Sequence, residues 1–158
     1  LRPEWQFVMI GPVVKISEED LPKRPNIHYL GGREYKQLPA YMSGWDVALM
    51  PFALNESTRF ISPTKTPEYL AAGLPVISTP IRDVVRPYHE KELVEIAQTA
   101  EQFIAAAEKI LSEGRSEERT ARADRFLSQM SWDKTWTEMN RLMSEEINRK
   151  PKAKERAV

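Results

Sequence analysis

Lys65 and Glu68 stand three residues apart in the stretch SPTKTPEYLAAGLPVIST, Ser62 to Thr79, close enough on a helix to share one face. A lysine there can hold an anion. A carboxylate one turn along can accept from two vicinal hydroxyls, as acidic residues do for ribose in dinucleotide-binding folds. Thr64 suits the N-cap, and Pro67 then falls in the first turn, where a missing N–H costs nothing. A helix opening near Thr64, directly after a strand-to-helix loop, presents unpaired N–H groups and the positive end of its dipole toward the strand ends, a ready place for phosphate. Phosphates at the helix end and a ribose one turn further describe a nucleoside diphosphate. Spacing alone favours the plainer reading, an exposed Lys65–Glu68 pair worth about 0.2–0.5 kcal/mol. Gly73 can end such a helix and Pro75 can open the next strand, so the segment is structurally consistent under either reading.

Other chemistries find less support. With no cysteine among the 158 residues, disulfides, thiol nucleophiles and thiolate metal sites are excluded together, which suits a reducing compartment. His28 and His89 are the two imidazoles and lie in no ligand-spaced motif, so both read as structural or surface groups. The 23 basic and 23 acidic residues cancel, leaving no general pull toward nucleic acid or anionic membrane; a charged ligand must be held by a local site. No apolar run has the length of a membrane span, and no signal peptide opens the chain.

The elements that must position Lys65 and Glu68 alternate between short apolar runs and helical patterns, the mark of βαβ units and a parallel sheet. Strands are predicted in QFVMIG (6–11), NIHYLG (26–31), DVALMPF (46–52), PVIST (75–79) and LVEIA (93–97). Ligands of open α/β sheets bind at the carboxyl ends of such strands. Leu38, Tyr41, Met42 and Trp45 recur at helical spacing, with Pro39 suited to a first turn, and this stripe reads as core. Thr99 is a predicted N-cap and Gly114 a stop for one later helix; a charged helix follows over about 117–129. A last helix is capped by Ser131, with Trp132, Trp136, Met139 and Met143 along one face. The tail 150–158 reads as disordered.

In this order the segments FVMIGP, PNIHYLGGREYKQLPAYMSGWDVALMPF, SPTKTPEYLAAGLPVIST and SWDKTW resemble the C-terminal, donor-binding domain of group 1 glycosyltransferases of the GT-B fold, closest to bacterial polysaccharide-assembly enzymes. The resemblance runs from about Glu4 to Ile147. It implies a Rossmann-like doubly wound parallel sheet over 1–130, lacking its first strand and helix, and a helix over 131–149 that returns to a preceding domain. It implies that Glu68 binds the donor ribose, that Ser62, Pro63, Thr64 and Lys65 line the diphosphate, and that Gly11 lets the donor approach the first strand. Gly31, Gly32 and Arg33 would flank the base, with Arg33 either stacked on it or facing solvent.

One departure is plain. Where many members carry a first glutamate, eight positions before the second, this chain has Phe60. Glu56 lies five residues after Pro51 in a lengthened loop, so it is the candidate catalytic group beside the transferred sugar, or else a solvated loop carboxylate. Asn55 and Arg59 are further candidates in that loop.

What the resemblance implies for function is transfer of a sugar from a nucleoside diphosphate donor, UDP- or GDP-linked, to a glycan or lipid-linked acceptor, with retention of configuration. No metal and no other cofactor enters that scheme. The acceptor would be held by an N-terminal domain, the isolated chain would bind donor weakly without transferring sugar, and the enzyme would work in the cytoplasm, peripheral to the inner membrane face. A nucleotide-sugar epimerase of the same fold and a non-catalytic α/β interaction module are the alternatives.

Overall fold

The computed structural model describes residues 2–149; the tail expected to be disordered, 150–158, lies outside the described residues. The fold is α/β with parallel strands, as predicted, and all five predicted strands form, each three residues long. The chain divides into two compact units, Leu1–Trp45 and Asp46–Val158.

In the first unit β1 (Phe7–Met9) pairs in parallel with β2 (Ile27–Tyr29), with Phe7 opposite Ile27 and Met9 opposite Tyr29. The ladder continues past the strands, since Leu30 N–H donates to Met9 O at 2.9 Å and Gly11 N–H to Gly31 O at 3.0 Å. Asn26 ties the start of β2 back to the chain entering β1 by donating from Nδ2 to Trp5 O at 2.8 Å. A short helix α1 (Leu38–Met42) follows, with Pro39 in its first turn as expected. The stripe Leu38, Tyr41, Met42 and Trp45 is half-buried, and no described residue of this unit is fully buried.

The second unit holds the core. Its strands β3 (Ala48–Met50), β4 (Val76–Ser78) and β5 (Val94–Ile96) are parallel in the order β3–β4–β5, with Met50 opposite Ser78 and Ser78 opposite Ile96. The middle strand β4 is buried at every residue, which is why it reads as an unbroken apolar run rather than an alternation. Helix α2 (Lys65–Ala71) connects β3 to β4, and α3 (Arg82–Val84) runs into a π-helical turn (Val85–His89) before β5.

The remaining helices are α4 (Ala100–Glu113), α5 (Glu117–Leu127) and α6 (Trp132–Arg149). The predicted caps form: Thr99 Oγ1 accepts from Gln102 N–H, Gly114 closes α4 at φ 69°, and Ser131 Oγ accepts from Lys134 N–H. Helix α2 packs on β4 and α5, and α4 packs on β4, around Leu70, Val76, Ile77, Val84, Leu93 and Ile110. Helix α6 buries none of its residues; Trp132 and Trp136 are 89% and 61% exposed.

Candidate functional site

Helix α2 begins at Lys65 and places Thr64 at the N-cap position, yet the Thr64 hydroxyl makes no cap bond. Two features of the sequence explain this correction. An N-cap side chain accepts from the N–H of the second or third helical residue; the third is Pro67, which has none, and the second, Thr66, donates its N–H to Pro63 O at 3.3 Å. The Thr64 backbone is also already helical, at φ −66° and ψ −17°, rather than extended as a capping residue is. Thr64 is exposed, so its hydroxyl faces solvent instead of the helix. Ser62 is exposed beside it and Pro63 is half-buried.

Lys65 and Glu68 meet. The ammonium Nζ donates to Glu68 Oε2 at 2.6 Å, and the two side chains are 47% and 26% exposed. The plain reading of the spacing is therefore correct for the free protein. A ligand that takes phosphate at Lys65 and hydroxyls at Glu68 must draw this pair apart, replacing one charge-assisted bond with others of the same kind.

What holds the pair in place is the opposite face of α2. Thr66 and Leu70 are buried at 0% and 1% exposure, and the Thr66 hydroxyl approaches Met50 Sδ of β3 at 3.8 Å. Tyr69 lies between, and burial raises its phenol above the ordinary 10.0, Lys65 opposing the shift and Glu68 adding to it. Gly73 ends the helix at φ 73°, where a Cβ would be strained. Leu74 N–H then donates to Tyr69 O at 3.0 Å and the chain enters β4. Lys65 and Glu68 thus stand on a short helix whose other face is locked into the sheet.

The loop between β3 and α2 carries Glu56. It forms a 3-10 turn, Glu56–Thr58, capped by Asn55, whose Oδ1 accepts from Ser57 N–H at 3.0 Å while Thr58 Oγ1 accepts from Asn55 N–H. The Thr58 hydroxyl also donates to Ala53 O. Asn55 is accordingly engaged in holding the loop. Glu56 is 81% exposed and pairs with Arg59 at 3.4 Å. The Arg59 guanidinium lies over the Phe60 ring at 5.0 Å from its centroid. Phe60, standing where a glutamate was expected, is 71% exposed.

This loop faces the segment that follows β4. Glu56, Arg59 and Phe60 on one side and Pro80, Ile81 and Arg82 on the other line an open cleft of about 710 Å³. It sits at the carboxyl ends of β3 and β4, where open α/β sheets take ligands. Arg82 was not singled out from the sequence, although its place just past a predicted strand's carboxyl end was a signal for it. Beside this wall Thr79 Oγ1 is buried without a hydrogen-bond partner, while Ser78 Oγ donates to Thr79 O at 2.9 Å. A second cavity of about 440 Å³ opens at the amino ends of β4 and β5, but its charges pair internally: Lys109 with Glu95, Arg119 with Glu113, and Arg122 with Glu92.

In the first unit Gly11 follows β1 at φ 145°, and a Cβ built on it meets nothing within 4 Å. Glycine is there for the backbone angle, and the space beside it is open. Arg33 is exposed and held by its neighbours: its Nε donates to the Tyr41 hydroxyl at 2.8 Å, Nη1 donates to Gly32 O at 3.0 Å, and its guanidinium lies 5.9 Å from the Tyr41 ring centre. Gly31 and Gly32 are both exposed with open space at their Cβ positions. Among the described residues no group of three carboxylate or imidazole side chains converges as a metal site, and no helix is long and apolar enough to cross a membrane.

Residues 1–113 match the family described as Glycosyl transferases group 1. Over 121 residues the chain is 32% identical to a Bacillus subtilis (strain 168) protein named "Putative teichuronic acid biosynthesis glycosyltransferase TuaH". That match covers 73% of this chain and 30% of the relative, so the chain spans about a third of the relative's length. No solved structure matches.

Proposed function

The chain belongs to the group 1 glycosyl transferases, and we propose that its part in that family is to bind the nucleoside diphosphate sugar donor and to stabilise the departing diphosphate. The observation that carries this is the Lys65–Glu68 pair, presented on a helix that is locked into the sheet and follows the loop after β3. When donor binds, Lys65 leaves Glu68 for the phosphates. The Thr64 hydroxyl, freed from capping, donates to the same oxygens, with Ser62 and Pro63 lining them. Glu68 accepts from the ribose hydroxyls. Because α2 has seven residues, its dipole is short, and the charge of Lys65 carries more of the work than the helix end does.

Glu56 is the group proposed beside the transferred sugar, and transfer with retention of configuration is the stereochemistry that goes with it. Gly11 and the Gly31–Gly32–Arg33 loop keep the roles that the resemblance implies, space for the donor and a flank for the base; for Arg33, serving the base requires leaving Tyr41. The whole enzyme would transfer a sugar from a UDP- or GDP-linked donor to a glycan or lipid-linked acceptor held by another domain, with α6 returning to that domain, at the cytoplasmic face of the membrane. The present chain alone would bind donor without transferring sugar. The relative's name as a glycosyltransferase favours transfer over the epimerase alternative.

Titration calorimetry of the intact protein with UDP, GDP and ADP, before and after Glu68→Ala, tests this. One diphosphate is expected to bind, and the substitution to weaken it about tenfold or more, equivalent to about 1.4 kcal/mol. If no nucleotide bound, or if Glu68→Ala left the affinity unchanged, the pair would be only a surface ion pair and the proposal would fall.

A further inference from the structure

We infer that Glu68 selects against bare phosphate and pyrophosphate: by holding Lys65 in the free protein it competes with any anion that brings no hydroxyls, and it yields the lysine to a ligand that carries both. This rests on the donor-binding reading above and gives the same carboxylate a second, opposing role. The end of α2 has little else with which to hold an anion. Of the N–H groups in its first turn, that of Thr66 is donated to Pro63 O at 3.3 Å, and Pro67 has none. The helix is seven residues long, so its dipole is short. Attraction for an anion therefore falls to the Lys65 ammonium, with the exposed Thr64 hydroxyl nearby in the chain.

That ammonium is occupied, since Nζ donates to Glu68 Oε2 at 2.6 Å. It has further N–H groups, so a phosphate can share it with the carboxylate, but two negative groups then crowd one cation. Glu68 does not swing clear without cost. Its side chain is 26% exposed, and it rises from a helix whose opposite face is fixed by the buried Thr66 and Leu70. A bare anion loses by this arrangement. A ligand with vicinal hydroxyls one turn along from its phosphates gives the carboxylate new donors, so the charge-assisted bond that Lys65 withdraws is replaced. Phosphate binding and hydroxyl binding are thereby coupled, each favouring the other, and coupling of this kind is reciprocal.

The test is titration calorimetry of the intact protein, in phosphate-free buffer, with inorganic pyrophosphate, UDP and GDP, using wild type, Glu68→Gln and Glu68→Asp. Glutamine keeps the size of the side chain and removes its charge, whereas aspartate keeps the charge. Wild type is expected to bind its preferred nucleoside diphosphate far more tightly than pyrophosphate. Glu68→Gln should bind pyrophosphate about threefold more tightly than wild type does, the size expected of a partly shielded ion pair, and the nucleoside diphosphate more weakly. Glu68→Asp should leave pyrophosphate as weak as in wild type. A damaged fold would weaken both ligands, so opposite changes in the two exclude that cause.

If Glu68→Gln weakens the nucleoside diphosphate while pyrophosphate is unchanged or weaker, the inference is overturned and the donor-binding reading stands. An equal gain for pyrophosphate with Glu68→Asp also overturns it, by tracing the effect to the length of the side chain rather than its charge. A gain for both ligands with Glu68→Gln would make Glu68 a competitor without a hydroxyl contact, and the selectivity would fall together with the ribose assignment. Absence of any nucleotide binding sinks both readings.

Discussion

Helices α2 and α6 are built with the same local devices and serve opposite ends. Each carries a cation and a glutamate three residues apart, Lys65 with Glu68 and Arg141 with Glu138, and Arg141 takes a second partner in Glu145. Each also has an uncharged stripe. In α2 that stripe is covered, with Leu70 at 1% exposure and Thr66 at 0%, whereas in α6 every residue is exposed and the stripe of Trp132, Trp136, Met139 and Met143 is bare. The difference teaches that an ion pair becomes a candidate grip through what lies behind it. Hydrogen bonds to Glu138 and Glu145 hold Arg141 protonated beyond its ordinary range, yet on a helix with no buried face that pairing positions nothing. The weaker-looking pair on α2 is held by a buried opposite face, so its two heads stay fixed relative to the sheet.

Removing the anchor should break this contrast most. Leu70→Ala is expected to lower the unfolding free energy by about 2–5 kcal/mol, because a fully buried side chain is lost together with the packing around it; denaturant titration reads the change, and donor affinity should fall with it. Retained affinity at unchanged stability would mean that the pair does not depend on its buried face.

The next effect is one of pH. Burial raises the Tyr88 phenol above 10.0, with Asp83 adding, and burial raises Tyr69 likewise. A folded-state value above the unfolded one contributes stability that is fully present below about pH 10 and is lost as pH rises through the folded value. The thermal midpoint should therefore drop on the alkaline side, and Tyr88→Phe should flatten part of that drop; a flat midpoint through this window would show that the phenols are not desolvated.

Thr79→Val should be near neutral or slightly stabilising, within about 1 kcal/mol, because it removes a buried hydroxyl with no partner. A clear loss of stability would reveal a bond that the hydroxyl makes. Smallest of all, Arg141→Ala should leave the unfolding midpoint unmoved, which differential scanning calorimetry can check, since its partners are on its own exposed helix.

Much of the fold could be read along the chain because its signals are local. The five apolar runs became strands, Thr99, Gly114 and Ser131 became helix ends, and Lys65 and Glu68 came together at one turn, each from spacing or side-chain chemistry within a few residues. Even the silent Thr64 hydroxyl had its cause in the sequence, at Pro67. The stripe at Leu38–Trp45 shows where such reading stops, since periodicity names a face without saying what covers it, and that stripe is half-buried. Arg33 shows the same limit for polar groups: its partner, Tyr41, is eight residues away and was read as core.

By itself the sequence determined the order and type of the elements, the pairing of Lys65 with Glu68, and the absence of thiol chemistry, because backbone propensity, capping and i to i+3 neighbours act over a few residues. Tertiary structure alone decided that α2 is anchored and α6 is bare, and that Arg82 shares a cleft with Glu56, Arg59 and Phe60. The reason is the parallel ladder. Setting Met50 opposite Ser78 brings two carboxyl strand ends side by side, so that loops more than twenty residues apart in the chain face each other, and no local pattern records that meeting.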